Sequence, residues 1–330
     1  MARKKISMTA IVASLGAILT GCSGQFRTAQ IEEAFPPVGQ FIDVSGGRVH
    51  YVQQGAGPDV ILLHGAGGNL RDFTFHLMGE LSDRYTVTAF DRPGLGYTDQ
   101  TPGAPTRAFA SEGDSPNAQV AMLREAARTL GITDPIVVGH SFGGIVAMAW
   151  ATTSLQAEDP TNATGVVLLA GVSMPWPGDL GAYYKVNGSR LGGAIAVPMI
   201  SAFVPSSVVD NAVSETFTPQ SPPEGYIGHL GGALAIRPGT FRANARQVNN
   251  LRPHVVEMLK LYPDLTLPIE ALHGTADTTV PISVHAERLI EIVDSANLVR
   301  LDGVGHQPHH AARQETRDAI DRVAARARLN

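Results

Sequence analysis

Short β-branched runs alternate with longer helix-like stretches along most of this chain, and the alternation restricts its fold more than any other feature. Several of the runs are apolar throughout, as expected of strands that helices cover on both faces. Strand and helix in alternation predict a mostly parallel sheet of the α/β class. The predicted strands are residues 49–53, 60–63, 87–90, 136–138, 166–169, 269–272 and 298–301.

The alternation stops between residues 169 and 269, where no clear strand occurs. Residues 172–251 are rich in Gly, Pro and Ala and poor in charge, and prolines interrupt them repeatedly. A long segment of this kind inside a compact domain usually has a function of its own. We therefore predict a helical lid at 172–251, inserted between the core segments 38–171 and 252–330.

The sequence Gly139-His140-Ser141-Phe142-Gly143 follows one predicted strand and precedes a helical stretch. This strand–turn–helix context is the one in which a G-x-S-x-G serine acts as a nucleophile. Glycines on either side allow a tight turn that holds the hydroxyl clear of the sheet. A helix N-terminus beside the serine favours developing negative charge. We predict that Ser141 is the nucleophile.

A serine needs a base, and the base must come from elsewhere in the chain. Asp277 follows the predicted strand at 269–272, and His306 follows the strand at 298–301. The carboxyl ends of parallel strands are where such sheets carry their working residues. We predict that His306 takes the proton from Ser141 and that Asp277 orients the imidazole. A turn residue is the other interpretation of Asp277.

A tetrahedral intermediate also requires two backbone N–H donors. The amide that follows the nucleophile, at Phe142, is the first candidate. The loop at 64–68 is rich in glycine and follows another strand, so it is expected to supply the second donor from Ala66, with Gly67 as the alternative. Trp176 lies between two prolines where the insertion begins, and it is a candidate for lining a substrate pocket.

Two further histidines, His309 and His310, follow His306 at a spacing that metal ligands on one helix face can use. Pro308 interrupts this run, and no carboxylate or cysteine lies close by in sequence. We therefore predict no metal and expect His309 and His310 to form a surface cluster.

Other polar residues near the strand ends are expected to have structural roles. His64 and His273 each precede a glycine, and His140 stands beside the nucleophile, so all three are expected to make structural hydrogen bonds. Asp91 and Arg92 begin a Pro/Gly loop, for which we expect a structural role, with an Asp–Arg pair as one possibility.

The motifs together resemble the lid-bearing serine hydrolase and esterase branch of the α/β-hydrolase superfamily, from about residue 36 to residue 323. The resemblance implies the α/β-hydrolase fold and the use of Ser141, His306 and Asp277 as a catalytic triad. The branch includes esterases, lipases, haloperoxidase-like enzymes, carbon–carbon bond hydrolases and prolyl iminopeptidase-like enzymes. The motifs are LLHGAGG (62–68), DRPGLGYTD (91–99), GHSFGG (139–144), LHGTADTTVP (272–281) and GVGHQPHH (303–310).

The residue at position 141 narrows the chemistry that the resemblance implies. Haloalkane dehalogenases and epoxide hydrolases of this fold use aspartate there, whereas this chain has serine. We therefore expect acyl transfer, with a carboxylic ester as substrate and an apolar portion suited to the charge-poor insertion. Two alternatives remain: a carbon–carbon hydrolase or perhydrolase-like enzyme with the same triad, and a non-catalytic membrane-tethered binding protein.

Composition limits the partners of the protein. With 330 residues, 44% of them hydrophobic and 17% charged, the chain can bury one large core. Its net charge of −5 provides no extended basic surface for a nucleic-acid backbone. No P-loop, dinucleotide-binding or zinc-finger pattern occurs, and we expect neither nucleic acid nor a cofactor to bind.

The N-terminus begins with basic residues at 3–5, continues with an apolar run at 6–19 and ends in Leu-Thr-Gly-Cys. This order is typical of a secretory signal. The run is shorter than the roughly 20 residues of a spanning helix, so an uncleaved anchor is the alternative interpretation. Leu-Thr-Gly-Cys resembles the lipobox of bacterial lipoproteins, which implies removal of residues 1–21 and acylation of Cys22.

Cys22 is the only cysteine, so no intramolecular disulfide can form. Residues 22–37 are predicted to be a polar tether that contributes nothing to a core. By the same resemblance, Ser23 after the cysteine favours transport to an outer membrane. We expect an exported lipoprotein anchored at the periplasmic face, whose oligomeric state stays open.

Overall fold

The computed structural model describes residues 23–105, 107 and 109–328. Its strands form one eight-stranded sheet in the order β1-β2-β4-β3-β5-β6-β7-β8, in which only β1 with β2 and β2 with β4 pair antiparallel. The predicted mostly parallel α/β sheet is confirmed. The strands are β1 Gln40–Val44, β2 Gly47–Gln54, β3 Asp59–Leu63, β4 Thr86–Phe90, β5 Ile136–His140, β6 Gly165–Leu169, β7 Ile269–Gly274 and β8 Ala296–Leu301.

The edge strand β1 is the one strand that the sequence analysis missed. None of its residues is fully buried, and it pairs only with β2. The apolar pattern used for prediction detects strands that are covered on both faces. An exposed edge strand of mixed polarity does not carry that signal.

Helices cover both faces of the sheet. On β3, Ile61 and Leu63 pack into the core on one face, while Val60 and Leu62 pack into the core on the other. Successive side chains of a strand point to opposite faces, so a doubly covered strand must be apolar throughout. The helices of the core are α2 Arg71–Thr74, α3 Leu77–Leu81, α4 Pro116–Thr129, α5 Phe142–Ser154, α12 Ala286–Leu289, α13 Pro308–Ala311 and α14 Arg313–Ala327.

The segment between β6 and β7 contains only helices and loops, as predicted for an insertion. Its helices are α6 Ala182–Gly188, α7 Arg190–Phe203, α8 Ser206–Glu215, α9 Tyr226–Leu230, α10 Pro238–Asn249 and α11 Leu251–Leu259, with 3₁₀ turns at Gly232–Ile236 and Tyr262–Asp264. The predicted boundary, between residues 251 and 252, falls just after the first residue of α11.

Residues 23–34 form a helix, α1, and this differs from the expectation of a tether without core contacts. Ile31 is buried in an apolar cluster with Val197 and Phe241 of the insertion, and Glu32 pairs with Arg237 at 2.7 Å. A largely polar helix needs only one apolar stripe to pack against a neighbour. The predicted signal, lipobox and Cys22 lie outside the described residues.

Candidate active site

Ser141 stands at the turn between β5 and α5, at the carboxyl edge of the sheet. Its φ is 53°, a left-handed conformation that a non-glycine residue rarely adopts. The Ser141 N–H donates to Leu169 O at 3.0 Å, and its carbonyl accepts from the Val172 N–H at 2.9 Å. These bonds to β6 and to the loop after it hold the backbone in a conformation typical of functional sites.

Close backbone approach explains the glycines of the motif. A Cβ on Gly143 would lie 2.0 Å from Leu63 O, and one on Gly139 would lie 2.2 Å from Gly143 O. Because no real Cβ tolerates such distances to a backbone oxygen, only glycine fits at these two positions. The turn can therefore pack directly against the end of β3.

Ser141, His306 and Asp277, each predicted from a separate strand end, lie together. His306 Nε2 is 2.9 Å from Ser141 Oγ, and His306 Nδ1 is 2.8 Å from Asp277 Oδ2. All three residues are buried. The carboxylate accepts the proton on Nδ1, which leaves Nε2 free to accept the hydroxyl proton. This geometry can generate an activated serine.

Asp277 is held as a carboxylate. Burial alone would raise its pKa, but hydrogen bonds from His273 and His306 and from the Val280 N–H lower the pKa well below its usual range. The second oxygen, Oδ1, accepts from the Thr279 and Val280 N–H groups at 2.8 and 2.9 Å. The charge beneath His306 is therefore permanent at neutral pH and fixed in direction.

The loop at 64–68 passes directly beside the nucleophile. A Cβ on Gly65 would lie 3.0 Å from the Ser141 Cβ, and Ala66 and Phe142 both line the cavity at Ser141. The Gly67 N–H donates to Asn244 Oδ1 at 2.7 Å, so it is already used. Of the two residues considered for the second donor, the structure leaves Ala66.

Arg92 is a feature of this site whose importance the sequence analysis missed. The side chain is fully buried; it donates from Nε to His64 O at 2.8 Å and from Nη2 to Gly65 O at 3.1 Å. It also donates from Nη1 to Gln119 and Gln247, and it stacks 4.3 Å from the Phe142 ring. Arg92 therefore ties together the two elements that carry the candidate oxyanion donors.

Asp91 and Arg92 do not pair with each other. Asp91 instead accepts from His50 Nδ1 at 2.6 Å and from the Leu70 and Tyr97 N–H groups. The described ion pairs do not include Arg92. The DRPG sequence could have indicated the importance of Arg92. A charged residue that is buried at a strand end needs acceptors that only a specific site supplies.

The expected surface cluster at His309 and His310 is also wrong, since both residues are buried. Their Nε2 atoms lie 3.1 and 2.9 Å from Asp72 Oδ1, which also accepts from Tyr226 at 2.7 Å. The carboxylate comes from α2, far from the histidines in sequence, so local spacing could not reveal it.

This histidine cluster is the place where the described residues could hold a metal. Asp72, His140 and His309 offer ligand atoms within 4.8 Å of one another. Hydrogen bonds already join most of these groups: His309 contacts Asp72, and His140 Nε2 donates to the His306 carbonyl at 3.0 Å. The cluster thus supports the loop that carries His306.

His64 and His273 make the structural hydrogen bonds expected of them. His64 Nε2 accepts from the Arg92 N–H at 2.9 Å, and burial lowers the pKa of His64 to about 4. His273 Nε2 donates to Val280 O at 2.6 Å. Both side chains fix loops that surround the nucleophile.

A cavity of about 410 Å³ opens beside Ser141. Its lining is mostly apolar and includes Trp176, Leu180 and Tyr184 from the start of the insertion, and Val248 from α10. Trp176, the candidate for lining a substrate pocket, is part of this lining. A volume of this size suits a small organic molecule.

The family is decided by a match between residues 60–324 and a family model described as alpha/beta hydrolase family. The chain belongs to this family. An uncharacterised protein of Mycobacterium tuberculosis is 26% identical over 308 residues, which span 88% of this chain and 82% of that protein.

Two further proteins are similar over different lengths. Haloalkane dehalogenase 2 of Mycobacterium tuberculosis is 29% identical over 148 residues, or 44% of this chain and 46% of that protein. The solved esterase from Exiguobacterium antarcticum superposes with a TM-score of 0.63 at 20% identity, over 87% of this chain and all of that one. At that identity the structural likeness establishes the fold alone.

Proposed function

We propose that this alpha/beta hydrolase is a serine esterase that cleaves a carboxylic ester through an acyl-enzyme at Ser141. The observation that carries the proposal is the continuous hydrogen-bond chain from Asp277 through His306 to Ser141, at 2.8 and 2.9 Å. A serine with this support attacks carbonyl carbon, whereas an aspartate nucleophile would be needed for alkyl halides.

The proposed reaction has two halves. Ser141 Oγ attacks the ester carbonyl while His306 Nε2 accepts the hydroxyl proton, and the N–H groups of Phe142 and Ala66 stabilise the oxyanion. The intermediate then expels the alcohol, to which His306 returns the proton. Water, activated by His306, attacks the acyl-enzyme and releases the carboxylic acid, which restores Ser141.

The cavity supports an ester with an apolar portion. Trp176, Leu180 and Val248 offer apolar surface next to the nucleophile, and His285 at the cavity wall stays neutral because burial lowers its pKa to about 3. Among the described residues, no Lys or Arg side chain lines this cavity, so a free carboxylate on the substrate would have no partner among them.

The catalytic proposal is tested by active-site labelling followed by a substrate panel. A fluorophosphonate probe should label the wild type and fail to label Ser141→Ala, with the exposed Ser206→Ala as the matched control. A panel of p-nitrophenyl esters graded by chain length, run beside a ring-cleavage dienoic ketone, then identifies the reaction. Labelling without turnover of any ester would contradict the esterase assignment.

We further propose that the protein is an exported lipoprotein that acyl chains on Cys22 hold at the membrane. The support is the sequence alone: a basic start, an apolar run at 6–19 and a lipobox-like Leu-Thr-Gly-Cys. Cys22→Ala should release the protein from the membrane fraction. Unchanged partitioning of this variant would favour an uncleaved N-terminal anchor instead.

A further inference from the structure

The outward side of α7 carries large apolar side chains at every fourth position. Leu191, Ile195 and Phe203 are 67%, 63% and 61% exposed, and Met199 between them is also exposed. Residues four apart lie on one side of a helix, so these side chains form a continuous stripe about 20 Å long. We call these four residues the α7 apolar surface.

The composition around the stripe is as unusual as its exposure. No charged residue occurs between Arg190 and Asp210, although α7 and the start of α8 lie at the surface. Surface helices of soluble domains normally present charged residues to water. An exposed apolar face of this length marks a site of contact with another apolar phase.

The N-terminal part of the chain leaves the described structure beside this surface. Arg27 on α1 donates to the carbonyls of Ser201 and Val204, at the C-terminal end of α7. Its neighbour Phe26 is 67% exposed. The chain that precedes α1 contains the apolar run at 6–19 and Cys22. A membrane anchor in that segment would therefore lead into α1, which contacts the C-terminal end of α7.

The geometry of α7 favours lying on a bilayer over crossing it. No single helix in the described part of the chain is long and apolar enough to span a membrane; α7 and α8 pass such a test only together, with a bend of 102° between them. The opposite side of α7 is held by the protein, since Val197 and Ser201 are buried. A helix with one packed side and one apolar outer side suits the membrane interface.

We propose that the α7 apolar surface docks on a lipid bilayer, with its side chains in the outer part of the acyl region. The docked face is continuous with the point where the N-terminal segment leaves α1. It also adjoins α6, whose Tyr184 lines the cavity at Ser141, so a docked protein would hold that cavity near the lipid. This last consequence rests on the proposed esterase function, whereas the docking itself does not.

The test measures where individual side chains lie when the protein is bound to vesicles. The full chain carries Cys22→Ser, so that a cysteine introduced by Ile195→Cys can be labelled alone with the fluorophore NBD. The labelled protein is mixed with vesicles of phosphatidylethanolamine and phosphatidylglycerol that contain a spin-labelled phospholipid, and the vesicles are floated. A lipid-embedded probe shifts to the blue and is quenched.

Leu155→Cys is the matched control, because Leu155 is also a large exposed side chain, at 44%. It follows the end of α5, a helix that starts next to Ser141 and runs about 20 Å to the opposite edge of the sheet. An anchor alone would leave both probes in water. Docking should quench the probe at 195 several-fold more than the probe at 155.

A second variant set checks the affinity itself. The double variant Leu191→Ser with Ile195→Ser should bind vesicles more weakly. Its partition coefficient should fall roughly tenfold for each apolar side chain removed. Thermal unfolding of each variant verifies the fold, and Ser141→Ala in the same background should bind as well as its parent. That result separates docking from catalysis.

Three results would overturn the proposal. The first is a floated protein whose probes at 195 and 155 are quenched equally, and the second is a protein that does not float at all. The third is a blue shift at 195 without lipid, since this would mean that a second copy or the run at 6–19 covers the α7 apolar surface.

Discussion

Replacing Arg92 offers the sharpest test of how the candidate active site is built. The guanidinium donates to the carbonyls of His64 and Gly65, the two residues that precede Ala66, and it stacks on the Phe142 ring. Arg92→Met removes these donors and keeps apolar bulk. The substitution should therefore disturb both candidate oxyanion donors while leaving Ser141, His306 and Asp277 unchanged.

The size of the effect follows from the contacts. Each buried acceptor left without a partner costs about 1–3 kcal/mol of folding free energy, partly offset because the variant no longer buries a charge. Loss of one oxyanion donor in other serine hydrolases lowers kcat by about 10²–10³-fold. We expect Arg92→Met to lower kcat within that range with little change in KM, and Arg92→Lys to recover only part, since it lacks the planar fork of donors.

The assay is steady-state hydrolysis of a short p-nitrophenyl ester, together with thermal unfolding of each variant. Arg124→Met is the matched control. Arg124 of α4 is also buried; it stacks 5.7 Å from the ring of Trp150 on α5 and donates to Trp150 O. Trp150 lies towards the end of α5 that is far from Ser141. Both variants should lose stability, and only Arg92→Met should lose kcat.

The reasoning is refuted if a folded Arg92→Met enzyme keeps kcat within about threefold of the wild type, because loss of one oxyanion donor would lower kcat far more. It is equally refuted if Arg124→Met loses kcat to the same extent, because a general loss of packing would then explain both.

Three other substitutions, the last with a control variant, test separate parts of the structure. Asp277→Asn should lower kcat on the order of 10³–10⁴-fold, measured with the same ester, because the amide cannot hold the imidazole in the required tautomer. Burial lowers the pKa of His285 from 6.5 to about 3, so the unfolded chain takes up a proton there before the folded protein does. The free energy of unfolding should then decrease as pH falls from about 6.5 towards 3, by up to about 1.4 kcal/mol per pH unit. Urea titrations at several pH values should show a smaller dependence of this free energy on pH for His285→Gln. Gly143→Ala should abolish folding or activity, since its Cβ would lie 2.0 Å from Leu63 O. Gly239→Ala, whose Cβ would meet no atom within 4 Å apart from its own stretch of helix, should leave both unchanged as judged by circular dichroism and ester hydrolysis.

The sheet and the triad geometry were accessible from the sequence for a physical reason. Strands covered on both faces must be apolar along their whole length, and their carboxyl ends must meet at one edge. Ser141, Asp277 and His306 could therefore be brought together without knowledge of a single contact. The glycines beside the serine likewise indicated that backbone segments approach each other closely there.

The features that the sequence did not reveal depend on contacts between distant segments. His309 and His310 are buried because Asp72 accepts their hydrogen bonds, and Arg92 is buried because carbonyls and amides from other elements surround it. The largely polar segment at 23–37 packs on the insertion through Ile31, which is buried, and through Phe35, which is partly buried. Local pattern describes a residue's own chemistry, whereas these roles belong to its partners.

The anchoring of α10 has a consequence for how such enzymes can be altered. Asn244 on this helix holds Gly67, and Gln247 bonds to both Arg92 and Pro93, so α10 supports the candidate active site despite lying within the inserted segment. Chimeras that exchange residues 172–237 between relatives can change what the cavity accepts. Chimeras that also replace 238–250 remove contacts that hold the candidate active site, so the exchangeable module ends where α10 begins.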